Sequence, residues 1–298
     1  MNGINLLKSA FLCICFALSS CTVFQEPNII QINFTDDCTQ QQQAVAHQVI
    51  LERMNSFYKV KDFTLPQNKM FSITYFQGKK PDIVSKLLAK KGEITIYESY
   101  FATEISDPIL NSFDVTEETD NPLVNFLIYS RQMIPVNSPV IGEVSEMYKD
   151  FIDSLFKDEK ILNLIPKDAS LLWGKKNQSN DVYYELTAVR KTNPFSLNKE
   201  TIKKVKIEFT QYDIYPQLSI ELYPEYHQAW ADFTQTNIGQ CVPFVCDEKI
   251  LISPLVNSEI TGGKLSISGN RPQEEMYAIQ SFLKSGTLNC SVNFTRIK

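Results

Sequence analysis

Nucleophilic catalysis needs a Ser, Cys or Thr beside a base, and the only histidines in this 298-residue chain are His47 and His227. No G-x-S-x-G, H-E-x-x-H or Cys–His spacing is present, so an acyl-transfer or zinc-hydrolase site has no sequence support. His47 falls on a predicted helix and reads as a surface or boundary residue. His227 opens a later helix beside Glu225 and reads as a solvated first-turn residue. No metal or cofactor site is expected, and a hydrolase is the remotest of the functional readings.

The cysteines carry more information. Lys8 is followed by the apolar run Ala10–Leu18 and then by Ser19-Ser20-Cys21. A basic start, a short apolar run and small residues make an export signal, and the run is too short for a permanent membrane span. Leu18-Ser19-Ser20-Cys21 resembles the bacterial lipobox, in which the cysteine is acylated and becomes the mature N-terminus. The expectation is a signal peptide over 1–20, lipid on Cys21 and a tether over 21–28. The alternative is an ordinary cleaved signal with a chance cysteine. No other run approaches the length of a membrane span, so a body held to an envelope membrane by its lipid is expected. Cys38, Cys241, Cys246 and Cys290 remain, and four cysteines allow three full pairings. Cys241 and Cys246 lie five apart on one predicted strand, so they face opposite ways and should not pair with each other. A Cys38–Cys290 bridge and buried free thiols both stay open.

These residues must be positioned by ordinary globular elements. Hydrophobic residues are 43%, charged residues 21% and the net charge is −5, which argues against a nucleic-acid partner. Ile29–Phe34 alternates as a strand. Thr39 to Tyr58 reads as a helix capped by Asp36 or Asp37, with Val45, Val49/Ile50, Met54 and Phe57/Tyr58 as its stripe. Lys69–Phe76 is a strand, Pro81 opens a second helix that Gly92 ends, and Glu93–Tyr100 is a third strand. Phe101–Pro139 is the least regular stretch, with its acidic Asp114–Asp120 and several prolines, and reads as a surface insertion or linker. Glu143–Phe156 reads as one amphipathic helix with Val144, Met147/Tyr148, Phe151/Ile152 and Leu155/Phe156 on its apolar side. Lys175–Asp181 reads as a polar loop, Val182–Arg190 as a strand and Lys191–Lys199 as turn-rich. Thr201–Thr210 and Gln217–Tyr223 alternate as strands, which makes Lys203, Lys204 and Lys206 an exposed strand face rather than an anion site.

Trp230–Asn289 is the most compact stretch. Tyr226, Trp230, Phe233 and Ile238 share one side of a helix closed by Gly239. Cys241–Cys246 is a central strand that Pro243 interrupts with a bulge or an edge. Asp247-Glu248 is a tight turn into Lys249–Val256, Gly262-Gly263 turns into Lys264–Ser268, and Pro272 opens a helix that Gly286 caps. Leu288–Phe294 closes the chain as a strand.

The order Phe233-Thr234, Asn237-Ile238-Gly239, Asp247, Pro254 to Asn257, Gly262-Gly263, Ile267-Ser268-Gly269-Asn270, Leu283 and Ser285-Gly286 resembles the head of the large periplasmic domain of SecD, an accessory subunit of the bacterial Sec translocon. Upstream, Ile50–Asn55 with Arg53, the strand Ile94–Tyr100, and Leu164-Ile165-Pro166 to Trp173-Gly174 resemble the base and the lead-in seen in fused SecDF proteins. Two positions depart from the pattern: Glu248 stands where the family has glycine, and Arg271-Pro272 replace a threonine cap. The resemblance implies an α+β fold of two α/β-sandwich subdomains, a ferredoxin-like base and a βαβββαβ head, with largely antiparallel sheets. It places the base over 29–105, completed by 288–298, an insertion with one helix over 106–180, and the head over 181–287. Asn237, Gly239, Asp247, Pro254, Asn257, Gly262, Gly263, Gly269, Asn270 and Gly286 then read as structural, and no binding residue is assigned. The SecD membrane domain has no counterpart here, so the expectation is a stand-alone, periplasm-facing body without a motor. The resemblance implies a non-catalytic protein that binds unfolded or translocating polypeptide, or a Sec or envelope partner. An envelope adaptor unrelated to translocation is the alternative.

Overall fold

The computed structural model describes residues 26–297 except 36, 78–81, 114–119, 136, 179–180, 210–214 and 270. The expected signal, Cys21, most of the expected tether, Asp36, Pro81, Asn270 and most of Asp114–Asp120 therefore lie outside the described residues.

The chain opens with β1 (Asn28–Phe34), whose Ile30, Ile32 and Phe34 point to one buried face. The helix α1 (Gln40–Phe57) is capped by Thr39, not by Asp37: the Thr39 hydroxyl accepts from Gln42 N–H and the Gln42 side chain accepts from Thr39 N–H. That reciprocal box satisfies two orphan donors at once. The buried arc of α1 is wide, running through Ala46, Ile50, Arg53, Met54 and Phe57. At ~100° per residue Val45 falls outside it and is 52% exposed, contrary to its place in the expected stripe. His47 falls inside the arc and is buried at 6% exposure, which corrects the surface reading. Its ring meets Phe71 edge-on at 4.6 Å, and Nε2 lies 3.1 Å from the Thr64 carbonyl oxygen.

β2 (Lys59–Phe63) pairs with β3 (Met70–Phe76) through a reversal at Asn68 and Lys69, both at positive φ. β2 escapes sequence detection because it is an exposed edge strand without apolar alternation. α2 (Val84–Leu88) follows, then β4 (Ile94–Ser99).

The expected linker is largely helical. α3 (Ala102–Asn111) buries Ile105, Ile109 and Leu110 around an internal Pro108, and α4 (Pro122–Met133) is capped by Asn121 and buries Leu123, Val124 and Leu127. Pro122 occupies the first turn of α4, where no intrahelical N–H bond is lost, so this proline marks a helix start. The expected helix Glu143–Phe156 is also corrected. Its first part belongs to β5 (Val140–Ser145), followed by a 3-10 turn and the short helices α5 (Lys149–Leu155) and α6 (Glu159–Leu162). A Cβ on Gly142 would overlap Phe126 and Ser130; the close approach of α4 to β5 thus decides the conformation. Met147 and Phe151 of the expected stripe are 77% and 48% exposed.

β6 (Ala169–Gln178) and β7 (Asp181–Leu197) form a long hairpin that absorbs the expected polar loop and turn-rich segment. β8 (Ile202–Glu208), β9 (Gln217–Leu222), α7 (His227–Thr236), β10 (Phe244–Cys246), β11 (Lys249–Ile252), β12 (Lys264–Ile267), α8 (Gln273–Ser285) and β13 (Val292–Arg296) complete the described chain. Pro243 holds β10 to three residues, so the expected strand from Cys241 is broken, and Cys241 makes an isolated bridge to Leu255. Ile238, expected in the core, is 50% exposed because α7 ends at Thr236.

Three sheets result. β13-β1-β3-β2 is antiparallel. β4-β10-β11-β6-β7 closes on itself because β4 pairs with both β10 and β7, and β5 attaches to β7. β12-β9-β8 is the third. Only β11–β6 is parallel among the described pairs, so the fold is α+β and largely antiparallel. α8 packs on both α1 and the β8–β9 face; one apolar core gathers residues between Ile30 and Ile96 with residues between Leu197 and Cys290, and a second gathers residues between Tyr100 and Ala188. A disulfide joins Cys38 to Cys290, while Cys241 and Cys246 are free.

Candidate functional site

The residues of the family pattern gather at turns and caps. Asp247 and Glu248 turn β10 into β11 at φ 47° and 64°, the doubly positive φ of a tight hairpin turn. The Asp247 carboxylate reaches back to β4, accepting from Gly92 N–H at 3.0 Å and Glu93 N–H at 2.9 Å. Arg53 sits close by, fully buried. It donates to the carbonyls of Leu87, Lys90, Lys91 and Gly286 at 2.6–2.9 Å and to the Ser285 hydroxyl at 3.3 Å. Its guanidinium lies 4.6 Å from the Phe282 ring centroid. Burial pulls its pKa down to about 10, against an opposing pull from Asp247. The cation thus neutralises the carbonyl ends of α2 and α8, where helix dipoles concentrate negative charge.

Asn237 is 1% exposed and its side-chain amide donates to Phe233 carbonyl at 2.8 Å. Gly239, at φ 82°, donates to Val256 carbonyl at 2.8 Å. Gly263, at φ 59°, leaves no room for a Cβ, which would overlap the His227 ring.

An open groove of about 510 Å³ lies beside β12. Trp230, Val242, Phe244 and Leu255 contribute apolar lining, and Lys264 and Ser266 of β12 contribute an edge. β12 is the outermost strand of its sheet. In an antiparallel ladder, opposed residues alternate between bonded and non-bonded pairs. Leu222 N–H donates to Gly263 carbonyl, so Gly263, Leu265 and Ile267 face β9. Lys264 and Ser266 therefore direct their N–H and C=O groups away from the sheet, along the groove. Trp230 is 2% exposed, and its indole N–H has no acceptor among the described residues. Buried indole N–H groups ordinarily find a partner.

Residues 178–290 match the family model for the P1 head subdomain of SecDF. Over that stretch the chain is similar to a SecDF head subdomain. It is 31% identical over 167 residues to the protein translocase subunit SecD of Rhodothermus marinus, covering 54% of this chain and 26% of that protein. It is 33% identical over 92 residues to the SecD of Dictyoglomus turgidum, covering 31% of this chain and 23% of that protein. The match thus spans about a quarter of the length of these relatives. A crystal structure of SecDF in a super-membrane-facing form superposes with a TM-score of 0.51 at 15% identity, over 91% of this chain and 30% of that one, a likeness of fold. Among the described residues no helix is long and apolar enough to cross a membrane.

The two histidines serve packing. His47 is held in the α1–β3 core, and His227 Nε2 lies 3.2 Å from Leu222 carbonyl oxygen where α7 meets β9. Among the described residues, the hydrogen-bond partners of both rings are backbone carbonyls. Cys246 is buried, and burial pushes its thiol up to about 12, so it is protonated and unreactive at neutral pH. Lys203, Lys204 and Lys206 are exposed on β8, and Lys203 pairs with Glu221 at 2.6 Å. The groove itself had no motif: strand-edge geometry is set by which strands pair, and the only sequence signal was the shortness of Lys264–Ser268 after Gly262-Gly263.

Proposed function

We propose that this chain is an envelope protein of the export pathway whose head takes hold of extended, unfolded polypeptide along the open edge of β12. The observation that carries the reading is the pair Lys264 and Ser266, whose backbone donors and acceptors face a groove lined in part by Val242, Phe244, Leu255 and the Trp230 indole, whose N–H has no acceptor among the described residues. An extended segment could add as a fourth strand. Main-chain bonds of about 0.5–1.5 kcal/mol each are indifferent to side-chain identity, which suits a protein that meets many sequences. A folded protein, with its strands already paired, has nothing to offer this edge. The similarity to protein translocase subunits supports the same reading. The lipobox-like Leu18-Ser19-Ser20-Cys21 supports acylation of Cys21 and a periplasmic body, and the pairing of β13 with β1 supports a base whose last strand comes from the C-terminus.

The test is binding of a reduced, unfolded model protein against its folded form, followed by fluorescence anisotropy. Selective binding of the unfolded form, lost in Ser266→Pro, is expected. Proline there removes only an outward N–H, which an edge strand tolerates, so folding should survive. Equal binding of both forms, or binding unaffected by Ser266→Pro, would overturn the reading.

A further inference from the structure

We infer that Lys264 makes this edge selective by charge, favouring extended segments that alternate apolar and acidic residues over segments that alternate apolar and basic ones. The inference rests on the strand-addition reading above. On the outward face of the sheet, Lys264 stands opposite Glu221 and Ser266 opposite Ser219, while Lys204 is the partner of Glu221 on β8 and Lys206 that of Ser219. With Lys203 at the adjacent bulge, this face carries four cations and the carboxylates of Glu208 and Glu221.

Glu221 cannot cancel Lys264 alone. Its carboxylate is bonded to Lys203 at 2.6 Å, and it is held below the usual carboxylate range chiefly by that bond, then by Lys203, Lys204 and Lys264 as charges. Lys264 is exposed and forms the outermost charge of the sheet. A strand added beside β12 would place one side chain directly across from Lys264 and another across from Ser266, with Cβ atoms about 5 Å apart. Opposite charges in that relation attract and like charges repel. The residues between them point to the other face, beside Leu265 and Ile267, which are half-buried and buried. Apolar side chains fit there, so the alternation of the occupant follows from the pleat.

The same lysine explains why the edge need not pair with a second copy of itself. Two β12 edges paired antiparallel through Lys264 and Ser266 would set each Lys264 opposite Ser266 of the other copy and bring the two lysines into a diagonal relation on one face, an unfavourable approach of like charges on an edge of four residues.

The experiment uses the full chain and three fluorescent peptides of one alternating apolar pattern, with Asp, Asn or Lys at the polar positions. The Asp peptide should bind up to about fivefold tighter per opposed position than the Asn peptide, and the Lys peptide weaker by a similar factor. The difference should shrink with added salt. Lys264→Ser should remove the preference, and Lys264→Glu should reverse it; both are exposed substitutions that leave the core intact. Equal affinity of the three peptides, with the Asn peptide still bound, would overturn the charge selectivity and leave the strand-addition reading standing. Failure of all three to bind would overturn both.

Discussion

Arg53 and Gly286 are joined across 233 positions of sequence: Arg53 Nη2 donates to the Gly286 carbonyl at 2.9 Å, tying the C-terminal part of α1 to the end of α8. The same guanidinium holds the carbonyls of Leu87, Lys90 and Lys91 beyond α2. Arg53 is thus a buried cation on which the helices α1, α2 and α8 converge. Replacing it with Met should leave those carbonyls buried without donors and lower stability by about 3–5 kcal/mol. Lysine should not rescue it, because a point charge cannot reproduce the planar fork. Urea unfolding of Arg53→Met and Arg53→Lys measures this; a loss under 1 kcal/mol for Arg53→Lys would show that charge alone suffices.

The Cys38–Cys290 bridge closes a loop of 252 positions, linking the segment after β1 to the start of β13. A closed loop of that length restricts the unfolded chain, and removing the bridge should reduce stability by about 2–5 kcal/mol. Thermal melts of the Cys38→Ser/Cys290→Ser double variant, with and without reductant, test it. The wild type should fall to the level of the variant under reductant, and the variant should not respond.

His47 has its pKa lowered by burial, with a smaller opposing effect from its bond to Thr64 carbonyl. The folded state therefore binds its proton less readily than the unfolded state. Stability from this residue is complete above the unfolded pKa of about 6.5. It is lost as pH falls from there to the lowered folded value. Comparing urea midpoints at pH 7.5 and pH 5 should show a smaller drop in His47→Gln than in the wild type. Equal drops would mean that other groups account for the acid sensitivity.

The two glycines before β12 are not equivalent. Gly263 needs positive φ, and its Cβ position is occupied by the His227 ring, whereas a Cβ on Gly262 meets nothing within 4 Å. Gly263→Ala should therefore cost more than 1 kcal/mol, while Gly262→Ala should remain within about 0.5 kcal/mol of the wild type. Chemical denaturation of the two single variants decides it. A similar loss in both would place the demand on the turn rather than on the contact with His227.

The amino-acid order by itself determined the elements whose signals are local. Alternation made Ile30, Ile32 and Phe34 the inner face of β1, and the doubly polar Asp247-Glu248 and the Gly262-Gly263 pair marked turns. The spacing of Phe233, Asn237, Gly239 and Asp247 carried the family likeness. Tertiary structure decided whatever depended on a distant neighbour. Val140–Ser145 is a strand because β7 pairs with it and α4 crowds Gly142, although its downstream periodicity favoured a helix. His47 is buried because β3 brings Phe71 against α1. Cys38 meets Cys290 because β13 returns to β1, which four cysteines could not specify among their pairings. The open edge of β12 exists only because β9 takes its other side. Short-range sterics and periodicity are written along the chain, whereas strand partners and buried contacts are settled by which distant surfaces exclude water together.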